Sequence, residues 1–214
     1  MVPASRDLAK RADCLMAAGE TIRVFIALDI SEPARLALSG TMDRLKTAIP
    51  RDARWVDPQS IHLTLKFLGN IDSDRTDGIL ESLCRIGEES SSFSLSLSGL
   101  GVFPNQREPR VLWAGVEGEM EPFASLQEKV EAAMADQGFT RERRGYNPHL
   151  TIGRVRDRIA ASERQKIGAT LLSHSLEPTE PWVADTMHLF RTTFTPQGSI
   201  HDIIGSAPLL TPHG

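Results

Sequence analysis

Cysteine is almost missing from this chain: Cys14 and Cys84 are the two thiols in 214 residues. They lie too far apart for a Cys-x-x-Cys pair, which leaves no thiolate metal motif and no disulfide framework, and fits a reducing, cytoplasmic setting. Long apolar runs are missing too. None approaches the ~20 residues of a membrane span, and the N-terminus has no continuous apolar signal core, so no membrane partner is expected. Positive charge is not in excess, since the formal net charge is -4. A protein that holds nucleic acid by a broad basic field is therefore not expected, and a nucleic-acid partner would have to be gripped locally. Basic clusters at 141–144 and at Arg154, Arg156 and Arg158 are, taken alone, solvated surface. Also lacking are a Walker loop, a Gly-x-Ser-x-Gly elbow, a His-x-x-x-His helix and a carboxylate-rich metal motif.

What is there is a short pattern that occurs twice. His62-Leu63-Thr64-Leu65 and, 87 residues later, His149-Leu150-Thr151-Ile152 both read His, apolar, Thr, apolar. Chance would give such a pattern roughly 0.15 times in a chain of this composition. Both copies sit in apolar runs, Ile61 to Leu68 and His149 to Val155, that read as strands with a side-chain period of two. His and Thr then share one face, while the residues between them anchor the other face in a core.

The rest of the chain is that of a globular α+β protein, with 40% hydrophobic and 24% charged residues. Arg23 to Ile30 reads as a first strand, followed by a helix with Ser31 as N-cap and Pro33 in its first turn, ended at Ile49-Pro50. The first His-Thr strand is expected to stop at Gly69-Asn70. Helices are predicted over Ser73 to Ile86, Phe123 to Gln137 and Ser162 to Leu172. Further strands are predicted over Phe93 to Leu97, Arg110 to Val116, Trp182 to Phe194 and Ile200 to Ile204, the last pair turning at 196–198. Several neighbouring strands are joined by connections too short for parallel crossovers, so the sheets are mainly antiparallel. The recurrence of one His-Thr strand per half predicts two pseudo-symmetric lobes with helices outside and a cleft between them. Residues 1–21, with a helix around Leu8 to Ala18, read as an N-terminal extension, 22–208 as the bilobal domain, and 209–214 as a C-terminal tail.

Two imidazoles across a cleft supply an acid and a base near neutral pH, and two hydroxyls on the same face suit the non-bridging oxygens of a phosphodiester. Such chemistry, with no metal and no cofactor, works well on an activated ester such as a 2′,3′-cyclic phosphate. Lys66, two residues after Thr64, shares its face by alternation and is a further phosphate candidate, although a lysine at a strand end is more often solvated. Arg154 falls on the opposite face from His149 by the same count, so a part for it requires a bulge or a strand end near Gly153. His174, His188, His201 and His213 have no partner motif and read as surface or structural residues. Trp55 and Trp182 read as packing residues beside apolar strands rather than base-stacking platforms.

These motifs, with the opening strand IRVFIALDI and the segments RWVDPQSIHLTLKFLGN, YNPHLTIGRV and LFRTTFTPQGSIHDIIGSAPL, resemble the two-histidine (2H) phosphoesterases. Within them the chain is similar to the LigT-like RNA 2′,3′-cyclic phosphodiesterases, also called 2′-5′ RNA ligases, over about residues 22 to 208. The resemblance implies that His62 is the proton donor and His149 the proton acceptor, that Thr64 and Thr151 hold phosphate oxygens, and that Arg154 contributes to activity. It implies RNA with 2′,3′-cyclic phosphate ends, or small cyclic nucleotides, as partner; a monomer is expected. Thr192 and His201 depart from the family pattern, which commonly has Ser and Tyr there. Two alternatives use the same cleft: reversible 2′-5′ joining of RNA ends, and a binding module for RNA or nucleotides without turnover. Intact His and Thr in both motifs disfavour the second, since a pure binder needs no proton carriers.

Overall fold

Alternation builds the first strand: β1 (Thr21–Leu28) sends Ile22, Val24, Ile26 and Leu28 into the main core and turns Phe25 and Ala27 to the opposite face. The computed structural model describes residues 19–49, 51–142, 145–176, 179–196 and 198–211. Cys14, His213 and the helix expected around Leu8 to Ala18 lie outside these residues, as do positions 143, 144 and 197 of the basic cluster and the last turn. Helix α1 (Glu32–Ala48) follows as its caps direct. The Ser31 hydroxyl accepts from the Ala34 N–H at 3.3 Å, a proline occupies the first turn, and Leu38, Met42 and Leu45 are buried at helical spacing.

A short strand β2 (Ala53–Trp55) and a 3-10 turn (Pro58–Ser60) lead to β3 (Leu63–Asp72), so His62 stands immediately before its strand rather than within it. The strand does not stop at Gly69-Asn70. Gly69, at φ +78°, bends it through a bulge where Val24 pairs with Gly69 but Phe25 with Phe67, and pairing continues to Asp72. A second 3-10 turn (Ser73–Arg75) opens α2 (Thr76–Glu88). Next come β4 (Phe93–Phe103), β5 (Val111–Gly118), α3 (Met120–Asp136), β6 (His149–Val155) and α4 (Ala161–Leu172). The run expected as one strand over Trp182 to Phe194 is two, β7 (Trp182–Ala184) and β8 (Thr186–Thr195), which part at Asp185 and join different sheets; β9 (Gly198–Pro208) closes the chain.

Two antiparallel sheets result, ordered β3-β1-β8-β9 and β2-β6-β5-β4-β7. Three strands of each correspond, β3-β1-β8 matching β6-β5-β4, with a His-x-Thr motif at the start of β3 and of β6. Each sheet nevertheless draws on both halves of the chain: β8 returns from the second half to lie beside β1, and β4 from the first half lies beside β5. The helices pack on the faces that carry the leucines, and one core runs through both sheets. Helix α2 lies so close to β9 that a Cβ on Gly87 would come 2.2 Å from the Pro208 carbonyl oxygen. Leu209, assigned by sequence to the tail, is buried, and its N–H donates to Asp185 O at 2.7 Å; Leu210 bonds Ser90 O at 2.9 Å. Both residues are therefore tied to the strands and helices before them. No helix of the described residues is long and apolar enough to cross a membrane.

Candidate active site

The faces turned away from the helices meet in a cleft of about 1110 Å³, lined by His62, Thr64, His149, Thr151 and Arg154 among others. The two histidines are held alike. His62 donates its Nδ1–H to the Ser60 carbonyl at 2.8 Å, and His149 donates its Nδ1–H to the Asn147 carbonyl at 2.7 Å, each two residues upstream. A carbonyl can only accept, so both rings are fixed in the Nδ1–H tautomer and both Nε2 atoms keep a lone pair for the cleft. His62 is stacked on Phe25 at 4.4 Å and meets the edge of His201 at 5.2 Å. His149 meets the edge of Phe103 at 4.9 Å.

Burial, and after it the neighbouring His201, push the His62 pKa down from 6.5 to about 4, against the opposing pull of the Ser60 carbonyl. Burial also lowers His149, the Asn147 carbonyl again opposing. In the cleft both rings are therefore neutral at pH 7.

Each motif is followed by a bulge at the same place, and the bulges decide which residues reach the cleft. On β3 the pairing skips from Ala27–Thr64 to Ile26–Lys66, leaving Leu65 as the extra residue; on β6 it skips from Trp113–Thr151 to Leu112–Gly153, leaving Ile152 as the extra one. The carbonyls of the extra residues are satisfied from outside the ladder, Leu65 O by Gln127 Nε2 at 3.5 Å and Ile152 O by Val56 N at 3.0 Å. One inserted residue inverts the alternation beyond it. Arg154 is thereby brought to the face of His149 and Thr151, as its candidacy required. Its counterpart on β3 is Phe67, an aromatic 64% exposed on the cleft wall.

The same inversion removes Lys66 from the site. Its side chain is buried on the helix side, where Nζ lies 2.7 Å from Glu131 Oε2 on α3 and 3.0 Å from Thr140 O. It does not line the cleft, and the phosphate part that strict alternation offered it is withdrawn.

His201, read from sequence as surface or structural, faces the cleft between His62 and Thr192, its Nδ1 3.1 Å from the Thr192 hydroxyl. Nothing local marks it; its place comes from the pairing of β8 with β9. His188 meets Ser206 Oγ through Nδ1 at 2.8 Å and His174 bonds Thr170 O at 2.8 Å, both outside the cleft. Trp182 is buried in the core, whereas Trp55 lines the cleft and packs on Gly153. Sequence reasoning also missed Tyr146, whose hydroxyl donates to the Thr64 carbonyl and so ties the approach to β6 to the strand of the other motif. Among the described residues four cationic side chains line the cleft, Arg23, Lys46, Arg54 and Arg154, against one carboxylate, Asp57, whose oxygen accepts from the Gln59 N–H at 3.0 Å. A chain of net charge -4 thus concentrates positive charge where an anion would sit. Among the described residues no group of three or more His, Cys, Asp or Glu side chains is placed to hold a metal ion.

A family profile described as LigT like Phosphoesterase matches residues 28–113 and 115–201, one His-x-Thr motif in each segment. The chain belongs to that family. Among its relatives, a Thermotoga maritima protein named RNA 2′,3′-cyclic phosphodiesterase is 32% identical over 183 residues, covering 86% of this chain and 93% of its own length. A Methanothermobacter thermautotrophicus protein of the same name is 34% identical over 183 residues, covering 84% and 95%. The fold is that of TT0787 from Thermus thermophilus, with a TM-score of 0.71 at 24% identity over 90% of this chain and all of that one. It is also that of Escherichia coli LigT, with a TM-score of 0.67 at 21% identity over 89% of this chain and 98% of that one.

Proposed function

We propose that this LigT-like phosphoesterase hydrolyses RNA 2′,3′-cyclic phosphate ends to 2′-phosphates, without a metal, by paired histidine acid and base catalysis. The observation that carries the reading is the matched pair of imidazoles, each fixed by its Nδ1–H so that Nε2 is free in one shared cleft. His149 Nε2 takes a proton from water as the water oxygen attacks phosphorus. The bond from phosphorus to O3′ breaks as His62 Nε2–H protonates the leaving oxygen. Thr64 and Thr151 hydroxyls hold the non-bridging oxygens as charge grows on the pentacoordinate phosphorus, and Arg154, further along the same face, binds substrate phosphate.

For this His62 must arrive protonated, although the cleft by itself keeps it neutral. The substrate supplies the correction, since a phosphate anion against Nε2 favours the imidazolium and opposes both the burial and the push from His201. Joining through a 2′-5′ bond is the same step with an RNA 5′ hydroxyl held where the water sits: its oxygen bonds to phosphorus, its proton goes to His149, and O3′ leaves as before. The test is hydrolysis of an oligonucleotide with a 2′,3′-cyclic end in EDTA, comparing the intact protein with His62→Ala and His149→Ala. Conversion to a 2′-phosphate that either substitution reduces by at least ~10² supports the reading. Turnover that survives both substitutions, or that EDTA abolishes, ends it.

A further inference from the structure

Arg54 and Arg154 stand directly opposite one another on the antiparallel pair β2 and β6. Directly opposed residues of an antiparallel pair share a face, with Cβ atoms about 5 Å apart, and like charges in that position destabilise the sheet. Both side chains are exposed, both line the cleft, and neither has an ion pair or hydrogen bond among the described residues. A repulsive pair left without a carboxylate is understandable when an anion completes it, and two guanidinium groups side by side are suited to the several oxygens of a phosphate.

Their position says which phosphate. Arg154 lies five residues beyond His149, one of them the extra residue of the bulge, so the arginine pair begins about 13 Å further along β6 at ~3.3 Å per residue. The threonines are already beside the histidines, at the reacting phosphate. β2 is the outermost strand of its sheet, so the pair stands towards an edge of that sheet. The same short segment that carries Arg54 continues through Pro58–Ser60 to His62, so one stretch of chain joins the two places.

We propose that Arg54 and Arg154 together grip the internucleotide phosphate on the 5′ side of the terminal nucleotide, so that the cleft selects an RNA chain end over a mononucleotide cyclic phosphate. The inference rests on the function proposed above and adds to it Arg54 as a residue that sets specificity. The test compares kcat/KM for adenosine 2′,3′-cyclic phosphate, which has no second phosphate, with that for the dinucleotide ApA ending in a 2′,3′-cyclic phosphate. The intact protein is expected to prefer the dinucleotide at least tenfold. Arg54→Gln reduces that preference to threefold or less, and Arg54→Lys, which keeps the charge, restores part of it. The slope of log kcat/KM for the dinucleotide against log salt becomes shallower by about 0.7 in Arg54→Gln, as expected for one lost single-strand phosphate contact. Equal use of both substrates by the intact protein, or an equal loss on both in Arg54→Gln, overturns the inference while leaving the hydrolytic reading intact. Hydrolysis of neither substrate by the intact protein overturns both.

Discussion

Replacing Lys66 by Met separates the two parts that this residue has been offered, because the substitution keeps the apolar stem and removes the charge. The ion pair with Glu131 is enclosed, with the two side chains 4% and 9% exposed. Removing one partner of a buried pair costs about 3–5 kcal/mol, mostly through the charge left behind. Urea unfolding of both proteins at pH 7 measures the difference, with an expected loss of about 3–5 kcal/mol. Folded Lys66→Met keeps the kcat/KM of the intact protein. A stability loss below about 1 kcal/mol, together with a fall in kcat/KM, would refute the placement of Lys66 and return it to the phosphate.

The lowered pKa values of His62 and His149 fix where activity lies on the pH scale. With His62 as the proposed acid, protonated, and His149 as the proposed base, neutral, in the free protein, kcat/KM is expected to peak below pH 6.5, with kcat shifted upward because bound phosphate favours the imidazolium; an optimum of kcat/KM at or above pH 7 would contradict this. His201→Gln removes the second-largest cause of the low His62 pKa, so the titration of His62 followed by NMR should move upward, and no movement would mean that burial acts alone. Tyr146→Phe leaves the Thr64 carbonyl without its donor from the other motif. It should cost about 1–3 kcal/mol in urea unfolding and lower kcat more than it raises KM, whereas full activity would show that the tie does not position Thr64.

The histidines and threonines were legible because each depends on its own neighbours: four residues of alternation place them, and Leu63, Leu65, Leu150 and Ile152 are buried as that alternation requires. Beyond a break in alternation the period of two no longer places a side chain. Lys66 left the cleft and Arg154 and Phe67 entered it because a bulge inserts one residue, and a bulge is a property of two paired strands rather than of either alone. Glycine at 69 and 153 was a local hint of such breaks, read at 69 as a strand end. β2 was missed because three residues carry no period. His201 and Arg54 owe their places to partners far away in sequence, β8 in the first case and β6 in the second.

The exchange of strands between the halves has a consequence for how the molecule could be taken apart. A cut in the Pro104 to Pro109 turn yields one piece with His62 and two strands of the other sheet, β2 and β4, and a second piece with His149 and two strands of the first, β8 and β9. Neither piece can cover its own apolar faces, so each needs the other to fold. Co-expressed, the pieces should reassemble with each carrying one of the two motif histidines, and cyclic-phosphate turnover then becomes a reporter that lights only when two polypeptides meet.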